Sequence, residues 1–220
     1  NNLIHGAKIN NIKNVIFLGS SCVYPKNCKQ PIKEQYLLTG ELEKTNEPYA
    51  VAKIAGIKLC ESYNFQYNAN YKCLMPTNTF GPGDNYDLEN SHFLPALIRK
   101  IHNCKIKNKN SLELWGNGKV KRELIYVDDL ADAIVFFLNK KINGYLINIG
   151  SGIEHTIDYY AKLVSEIIGV KLKIKYKNKS LIGTPRKLLD TSFAKKHGWK
   201  SKTNLRKDIL KTYNHFLGEA

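Results

Sequence analysis

The sequence lacks long apolar runs, because no stretch approaches the ~20 consecutive apolar residues of a membrane span. Its five cysteines have no C-x-x-C spacing and no partnering histidine pattern, so we expect no metal site. Unpaired thiols in an odd number are typical of a reducing compartment. These absences predict a cytoplasmic protein with no membrane association.

Acidic residues are also few, since 19 Asp and Glu stand against 34 Lys and Arg, giving a net charge of +15. Such an excess raises the possibility of nucleic-acid binding. The lysines are spread along the chain, however, and no aromatic-basic RNA motif interrupts the alternation at residues 171–177, which is typical of a half-exposed strand. We therefore expect no nucleic-acid partner, whereas a nucleotide diphosphate is compatible with the charge.

The most informative residues present are Tyr49 and Lys53. On a helix, a spacing of four places both side chains on one face. An ammonium there favours the phenolate, and a phenol tuned in this way can give or take a proton at a carbonyl or alcohol oxygen. The alternative is a packing role for Tyr49 and a solvated Lys53, so the surrounding sequence has to decide.

That surrounding sequence predicts an α/β sheet edge. Residues 14–18 form an apolar run consistent with a strand buried on both faces. Gly19 breaks the strand and puts Ser20 and Cys22 beyond its carboxyl end, where open α/β sheets bind ligands. A second apolar strand at 71–75 ends in the polar residues 76–79. A serine, a Tyr/Lys helix and a polar loop together form a catalytic constellation.

The rest of the chain alternates helices and strands, as an α/β protein should. Residues 1–12 indicate the tail of a helix, and Asp128 and Asp129 the capped start of another. The further elements expected are a helix from 91 to about 107 with His92 in its first turn, strands at 112–115, 123–127 and 145–149, and helices at 130–139, 156–168 and 205–217.

These residues resemble the extended short-chain dehydrogenase/reductase superfamily and, more narrowly, the GDP-L-fucose synthases, which are bifunctional epimerase-reductases. The resemblance implies a partial Rossmann-type doubly wound parallel sheet with an interleaved, smaller substrate-binding α/β lobe. Residues 1–90 and 120–150 would belong to the NADP-binding domain, and residues 91–119 and 151–220 to the lobe. The segments that carry the resemblance are FLGSSCVYPK at 17–26, TNEPYAVAKIAGIKLCESYN at 45–64, MPTNTFGPGDN at 75–85, NSHFLPALIRK at 90–100, WGNGKVKRELIYVDDLA at 115–131 and GTPRKLLD at 183–190.

Members of this family begin with a strand, a glycine-rich turn and a helix that hold the cofactor pyrophosphate. The glycine pairs at 81 and 83, 116 and 118, and 150 and 152 all lack the third glycine of that fingerprint, and residue 1 is Asn. We therefore expect a chain truncated at its amino terminus, without the glycine-rich half, and inactive as these 220 residues alone.

The resemblance implies NADPH-dependent 3,5-epimerisation and 4-keto reduction of GDP-4-dehydro-6-deoxy-D-mannose to GDP-L-fucose. Tyr49 suits the proton delivered to the oxygen, Lys53 tunes Tyr49 and anchors the nicotinamide ribose, and Ser20 suits a hydrogen bond to the carbonyl. Cys22 is the expected epimerisation base, and His92 the partner acid. The alternatives are a small buried hydrophobe at Cys22 and a helix-start hydrogen bonder at His92.

The resemblance also implies binding roles and a homodimer for the full-length protein. Lys100, Trp115 and Arg122 match positions that contact the GDP-sugar, with a core position as the alternative for Trp115. Ile182 stands where the family usually has Asp, which questions one substrate contact. The residues expected to bind the cofactor are Leu18, Gly19, Ser20, Ser21, Lys53, Pro76, Thr77, Asn78, Thr79 and His92.

Two other functions remain open from the sequence. A different nucleotide-sugar epimerase or dehydratase of the superfamily is one, although a dehydratase should carry an acidic pair where Ser21 and Cys22 stand. A non-catalytic nucleotide- or RNA-binding relative is the other, although such proteins tend to lose the Tyr/Lys pair that this chain keeps.

Overall fold

A computed structural model describes residues 2–177 and 184–219, so Ile182 lies outside the described residues. The helices are α1 (Asn2–Ile9), α2 (Glu47–Tyr67), α3 (Phe93–Ile106), α4 (Val127–Leu138), α5 (Ile157–Ile168), α6 (Ser192–Lys196) and α7 (Leu205–Glu219). The strands are β1 (Asn14–Leu18), β2 (Asn70–Pro76), β3 (Asn78–Phe80), β4 (Ser111–Trp115), β5 (Lys121–Tyr126), β6 (Leu146–Ile149), β7 (Glu154–Thr156), β8 (Lys173–Lys177) and β9 (Arg186–Lys187).

A parallel sheet in the order β1-β2-β6 carries helices on both faces. Successive side chains of a strand point to opposite faces. Tyr71, Cys73 and Met75 of β2 accordingly pack with α1 and α2, whereas Leu74 packs with α4 and α6. Apolar faces of helices cover both sides of β2, which confirms the doubly wound α/β fold.

A second group of elements surrounds its own core. Strand β5 pairs with β3, β7 and β9, and a separate two-stranded parallel sheet joins β4 to β8. Helices α3, α5 and α7 bury Ile98, Val164 and Phe216 in this core. Strand β8 alternates exposed lysines with partly buried Ile174 and Tyr176, which confirms the half-exposed strand predicted from the sequence.

The expectation that residues 14–18 are buried on both faces is confirmed only in part: Val15 and Phe17 pack against one core and Ile16 against the other, but none of the five residues is fully buried. Strand β1 is the outer strand of its sheet; Asn14 and Leu18 are exposed and the three residues between them are half-buried. In the described part of the chain only β2 pairs with β1, so one edge of the strand has no neighbour to cover it.

The predicted caps of α4 were wrong. The helix begins at Val127, Tyr126 is its N-cap residue, and Asp128 and Asp129 lie in the first turn. The Asp129 carboxylate instead accepts hydrogen bonds from residues 201–203, so a tertiary contact uses the group that the sequence suggested for capping. None of the described helices combines the length and the apolar character needed to cross a bilayer.

Candidate active site

The loop after β1 holds Ser20 and Cys22 in a fixed relation. The Gly19 amide donates to the Leu74 carbonyl at 2.9 Å, and a Cβ on Gly19 would lie 2.3 Å from Met75 Cε, so a larger residue here would require the Met75 side chain to move. Ser20 is extended (φ −165°, ψ 151°), and its Oγ accepts from the Cys22 amide at 3.1 Å. A short 3₁₀ turn, Ser21–Val23, then begins.

Tyr49 and Lys53 lie on one face of α2, as their spacing predicts. Pro48 sits in the first turn of the helix, where a missing N–H costs nothing. The Lys53 ammonium donates to the Leu18 carbonyl at 2.8 Å, and its Nζ lies 5.7 Å from the centroid of the Tyr49 ring. Lys53 therefore links the tyrosine to the carboxyl end of β1.

A cavity of about 520 Å³ opens at the ends of β1 and β2. Leu18 and Lys53 do not line it but stand at its edge, joined by their hydrogen bond. The other predicted catalytic and cofactor-binding residues all line this cavity: Gly19, Ser20, Ser21, Cys22, Tyr49, Pro76, Thr77, Asn78, Thr79 and His92.

His92 reaches the cavity from the amino end of α3, together with a carboxyl group that the sequence analysis missed. The helix begins at Phe93, so the expected start at 91 was wrong and His92 is the extended N-cap residue, whose carbonyl accepts from the Ala96 amide. Asp84 lines the same cavity. Burial raises the pKa of Asp84, while the Asn85 amide and the nearby His92 act to lower it. The polar loop expected at residues 76–79 in fact includes the start of strand β3, so Asp84 follows a strand that the sequence analysis did not predict.

Two side chains donate hydrogen bonds to the sulfur of Cys22. Lys187 Nζ and Asn46 Nδ2 each donate to Cys22 Sγ at 3.4 Å. Asn46 immediately precedes the Tyr/Lys helix, but Lys187 is 165 residues from Cys22 in sequence and no local pattern indicates the contact. The cysteine is half-buried, lines the cavity and touches polar groups, so the alternative of a buried hydrophobe fails.

The three residues expected to contact substrate lie outside this cavity. Lys100 borders a separate cavity of about 260 Å³, and Trp115 at the end of β4 is 65% exposed, which contradicts the core alternative. Arg122 donates to the carbonyls of Lys121 and Thr184 at 2.8 Å each. Burial lowers the pKa of Arg122, and the nearby Cys22 acts in the opposite direction, so Arg122 borders the site on the cysteine side.

Glu123 is a buried carboxyl group that the sequence analysis also missed. Its two oxygens accept from the amides of Gly152, at 2.6 Å, and Leu189, at 2.9 Å, so it ties β5 to two other segments. Burial raises the pKa of Glu123 to about 7, although these two amides and Thr77 act to lower it.

Glu123→Gln should change how stability depends on pH. Because the folded state raises this pKa from 4.5 to about 7, the associated stability is present at low pH and is lost as pH rises through about 7. The free energy of unfolding of the parent minus that of the variant should therefore fall with pH, by on the order of 3 kcal/mol, and level off at higher pH. Urea unfolding at several pH values measures this difference. A difference that is constant between pH 4 and 8 would contradict the assignment.

Comparison with known proteins assigns the class. A model described as the NAD dependent epimerase/dehydratase family matches residues 1–150, and the chain belongs to that family.

Within that family the chain is similar to GDP-L-fucose synthases. It is 47% identical over 216 residues to a putative GDP-L-fucose synthase 2 of Arabidopsis thaliana, covering 98% of this chain and 66% of the relative. It is 47% identical over 219 residues to a GDP-L-fucose synthase of Sinorhizobium fredii, covering 100% of this chain and 70% of the relative. The structure of a GDP-mannoheptose C4 reductase from Campylobacter jejuni with NADP bound superposes with a TM-score of 0.86 at 34% identity, covering 98% of this chain and 73% of that one. The chain thus spans about two thirds of the length of these curated relatives.

Proposed function

We propose that the protein carries out NADPH-dependent 3,5-epimerisation and 4-keto reduction of GDP-4-dehydro-6-deoxy-D-mannose to GDP-L-fucose. One observation carries this proposal: a reductase set (Ser20 and Tyr49) and an epimerase set (Cys22 and His92) line a single cavity. A non-catalytic relative would have no use for both sets. The similarity to GDP-L-fucose synthases supports the particular sugar nucleotide.

The cavity fits the nicotinamide end of NADP(H). Its walls at Gly19–Ser21 and at residues 76–79 offer backbone groups, hydroxyls and an amide, which are the neutral partners that a carboxamide and ribose hydroxyls require. Lys53, fixed at the cavity edge, would hold the ribose, and His92 borders the same space. When bound there, NADPH supplies the hydride for the ketone carbon.

Reduction also needs a proton on the ketone oxygen. The Tyr49 hydroxyl gives this proton, and Ser20 Oγ orients the oxygen by a hydrogen bond. The Lys53 ammonium lies 5.7 Å from the centroid of the Tyr49 ring, so a positive charge stands beside the group that gives up the proton.

Epimerisation needs a base and an acid next to the ketone. Cys22 Sγ removes a proton from the flanking carbon, and the electron pair of that C–H bond passes into an enolate whose oxygen Ser20 and Tyr49 stabilise. His92 returns a proton to the opposite face of the carbon. Both groups border the cavity, so one bound sugar can meet both.

The GDP part of the substrate is assigned to the second group of elements. Arg122, beside Cys22, suits a diphosphate because its guanidinium can bind two oxygens at once. The exposed Trp115 suits stacking, and Lys100 supplies a further cation. The separate core of α3, α5 and α7 supports a substrate-binding unit within residues 91–119 and 151–220, set against residues 1–90 and 120–150 for the cofactor. Two elements cross these boundaries, because Leu124 of β5 packs in the core of α3, α5 and α7 and Ala194 of α6 packs on the β1-β2-β6 sheet.

Turnover of the proposed substrate tests the function. The whole reading frame that encodes these residues is expressed and mixed with NADPH and GDP-4-dehydro-6-deoxy-D-mannose; we expect NADPH consumption and formation of GDP-L-fucose, identified by NMR. Turnover of a uridine-linked 4-keto sugar in preference to the guanosine-linked one would overturn the assignment of substrate.

We also propose a homodimer acting in the cytoplasm. The five cysteines are all free thiols, which supports a reducing compartment. Helices α1 and α2 pack together through a 2.8 Å hydrogen bond between His5 and Tyr63, and they expose Leu3 at 90% and Phe65 at 92%. We infer that the same surface of a second copy of the chain buries these side chains in the dimer.

Phe65→Glu should convert this dimer to monomer, because a carboxylate in an apolar interface loses its hydration. Sedimentation velocity at micromolar concentration measures the change. Val135→Glu is the matched control, since Val135 is 71% exposed but lies on α4. A Phe65→Glu protein that sediments like the parent would contradict the proposed interface.

A further inference from the structure

We propose that Lys187 is the positioning residue for Cys22: its ammonium holds the sulfur in the thiolate form that removes the substrate proton. This proposal rests on the proposed function, in which Cys22 is the epimerisation base. It gives a role to a residue that lies in the segment GTPRKLLD but that the sequence analysis did not place in the site.

The contact itself defines the roles of its two atoms. An ammonium has three donors and no acceptor, so the Cys22 sulfur must be the acceptor in the 3.4 Å contact with Lys187 Nζ. Asn46 Nδ2 donates to the same sulfur, also at 3.4 Å. Two donors, one of them positively charged, are thus directed at this sulfur.

Strand pairing explains why the positive charge faces this sulfur. Strands β5 and β9 are parallel, with Arg122 opposite Lys187 in register, and residues opposite each other in a sheet present their side chains on the same face. Two cations therefore stand together near Cys22. The Arg122 guanidinium is already bonded to the carbonyls of Lys121 and Thr184, which leaves Lys187 as the cation that touches the sulfur.

The backbone after Lys187 is held in place on two sides. The Leu188 amide donates to Gln30 Oε1, and the Leu189 amide donates to the buried carboxylate of Glu123, each at 2.9 Å. Leu189 also forms a parallel bridge with Ile32. These contacts fix where the Lys187 side chain starts, and a preorganised charge stabilises an anion without having to move during the reaction.

The proton and the electron pair of the broken C–H bond both have a defined destination in this step. The thiolate takes a proton from the carbon flanking the ketone, an S–H bond forms, and the electrons of the broken C–H bond enter the enolate. The negative charge thus leaves the sulfur for the ketone oxygen. Lys187 keeps its own proton throughout and acts only by favouring the charged form of Cys22.

Alkylation of Cys22 by iodoacetamide at pH 7 tests the proposal without using turnover, since the thiolate is the species that reacts. Mass spectrometry of the peptide that contains Cys22 gives the rate, and Cys22→Ser verifies which peptide is being followed. In Lys187→Met, which keeps the length of the side chain but not its charge, the rate should fall by about tenfold or more. Lys187→Arg should restore most of it.

Arg186→Met is the matched control. It removes one positive charge from the same strand, but Arg186 pairs with Glu154 rather than with Cys22, so the rate should stay within about twofold of the parent. Circular dichroism melting shows whether each variant is folded. A folded Lys187→Met protein that is alkylated at the parental rate would overturn the role of Lys187, and it would leave the proposed reaction, which is measured by turnover, unaffected. An equal loss in Lys187→Met and Arg186→Met would also overturn it, because net charge alone would then explain the effect.

Discussion

Tyr49→Phe should reduce the rate of ketone reduction by about 100-fold or more, because a correctly placed general acid contributes about that much. Phenylalanine keeps the ring that lines the cavity but removes the hydroxyl that gives the proton. The measurement is the rate of NADPH consumption under saturating substrate, with the whole reading frame expressed.

Tyr67→Phe is the matched control, since Tyr67 lies on the same helix and is 49% exposed, close to the 47% of Tyr49, but does not line the cavity. This variant should retain the parental rate. If Tyr49→Phe stays within a few-fold of the parent, another group delivers the proton and Tyr49 has only a binding or packing role.

Cys22→Ser should abolish exchange of the substrate carbon protons with solvent while ketone reduction continues to some extent. A hydroxyl is close to a thiol in size but far less acidic, so the base is lost and the geometry is kept. Ser20, Tyr49 and Lys53 are untouched, and the expected product is an unepimerised 6-deoxy sugar nucleotide. Mass spectrometry of products formed in heavy water follows both outcomes.

Two further variants make the result specific. Cys28→Ser changes another half-buried cysteine, one that does not line the cavity, and should leave exchange at the parental rate. His92→Gln should allow the proton to leave but impair its return, giving incomplete or single-centre epimerisation. Parental deuterium uptake in Cys22→Ser would show that the base is another residue.

Tyr49→Phe and Cys22→Ser change different atoms that act on one bound sugar. The reductase set delivers a proton to oxygen and the epimerase set moves protons at carbon, yet both reactions place negative charge on the same ketone oxygen near Ser20. A variant of Ser20 or Tyr49 should therefore weaken both half-reactions, whereas Cys22→Ser removes only the base of the epimerisation. The shared cavity makes this distinction accessible to experiment.

The sequence by itself determined the parts of the site that depend on local spacing. A helix places Tyr49 and Lys53 on one face whatever packs around it, and a glycine after an apolar run ends β1 with Ser20 and Cys22 at its carboxyl end. The parallel α/β sheet followed from the same alternation of apolar runs and amphipathic helices. Element starts were less well determined: α3 and α4 begin elsewhere than predicted, and at α4 a tertiary contact uses the Asp129 carboxylate that looked like a cap.

Only the tertiary structure decided which distant groups surround Cys22. Lys187 meets Cys22 because β9 pairs with β5 in one register, and a shift of one residue would turn Arg186 toward the sulfur instead. Glu123 and the exposure of Trp115 are likewise consequences of packing, since neither burial nor strand order can be read from neighbouring residues alone. Spacing along the chain fixes short-range geometry, whereas contacts across 165 residues depend on how the whole chain packs, and that is the physical reason why the charge beside the proposed base became visible only in the fold.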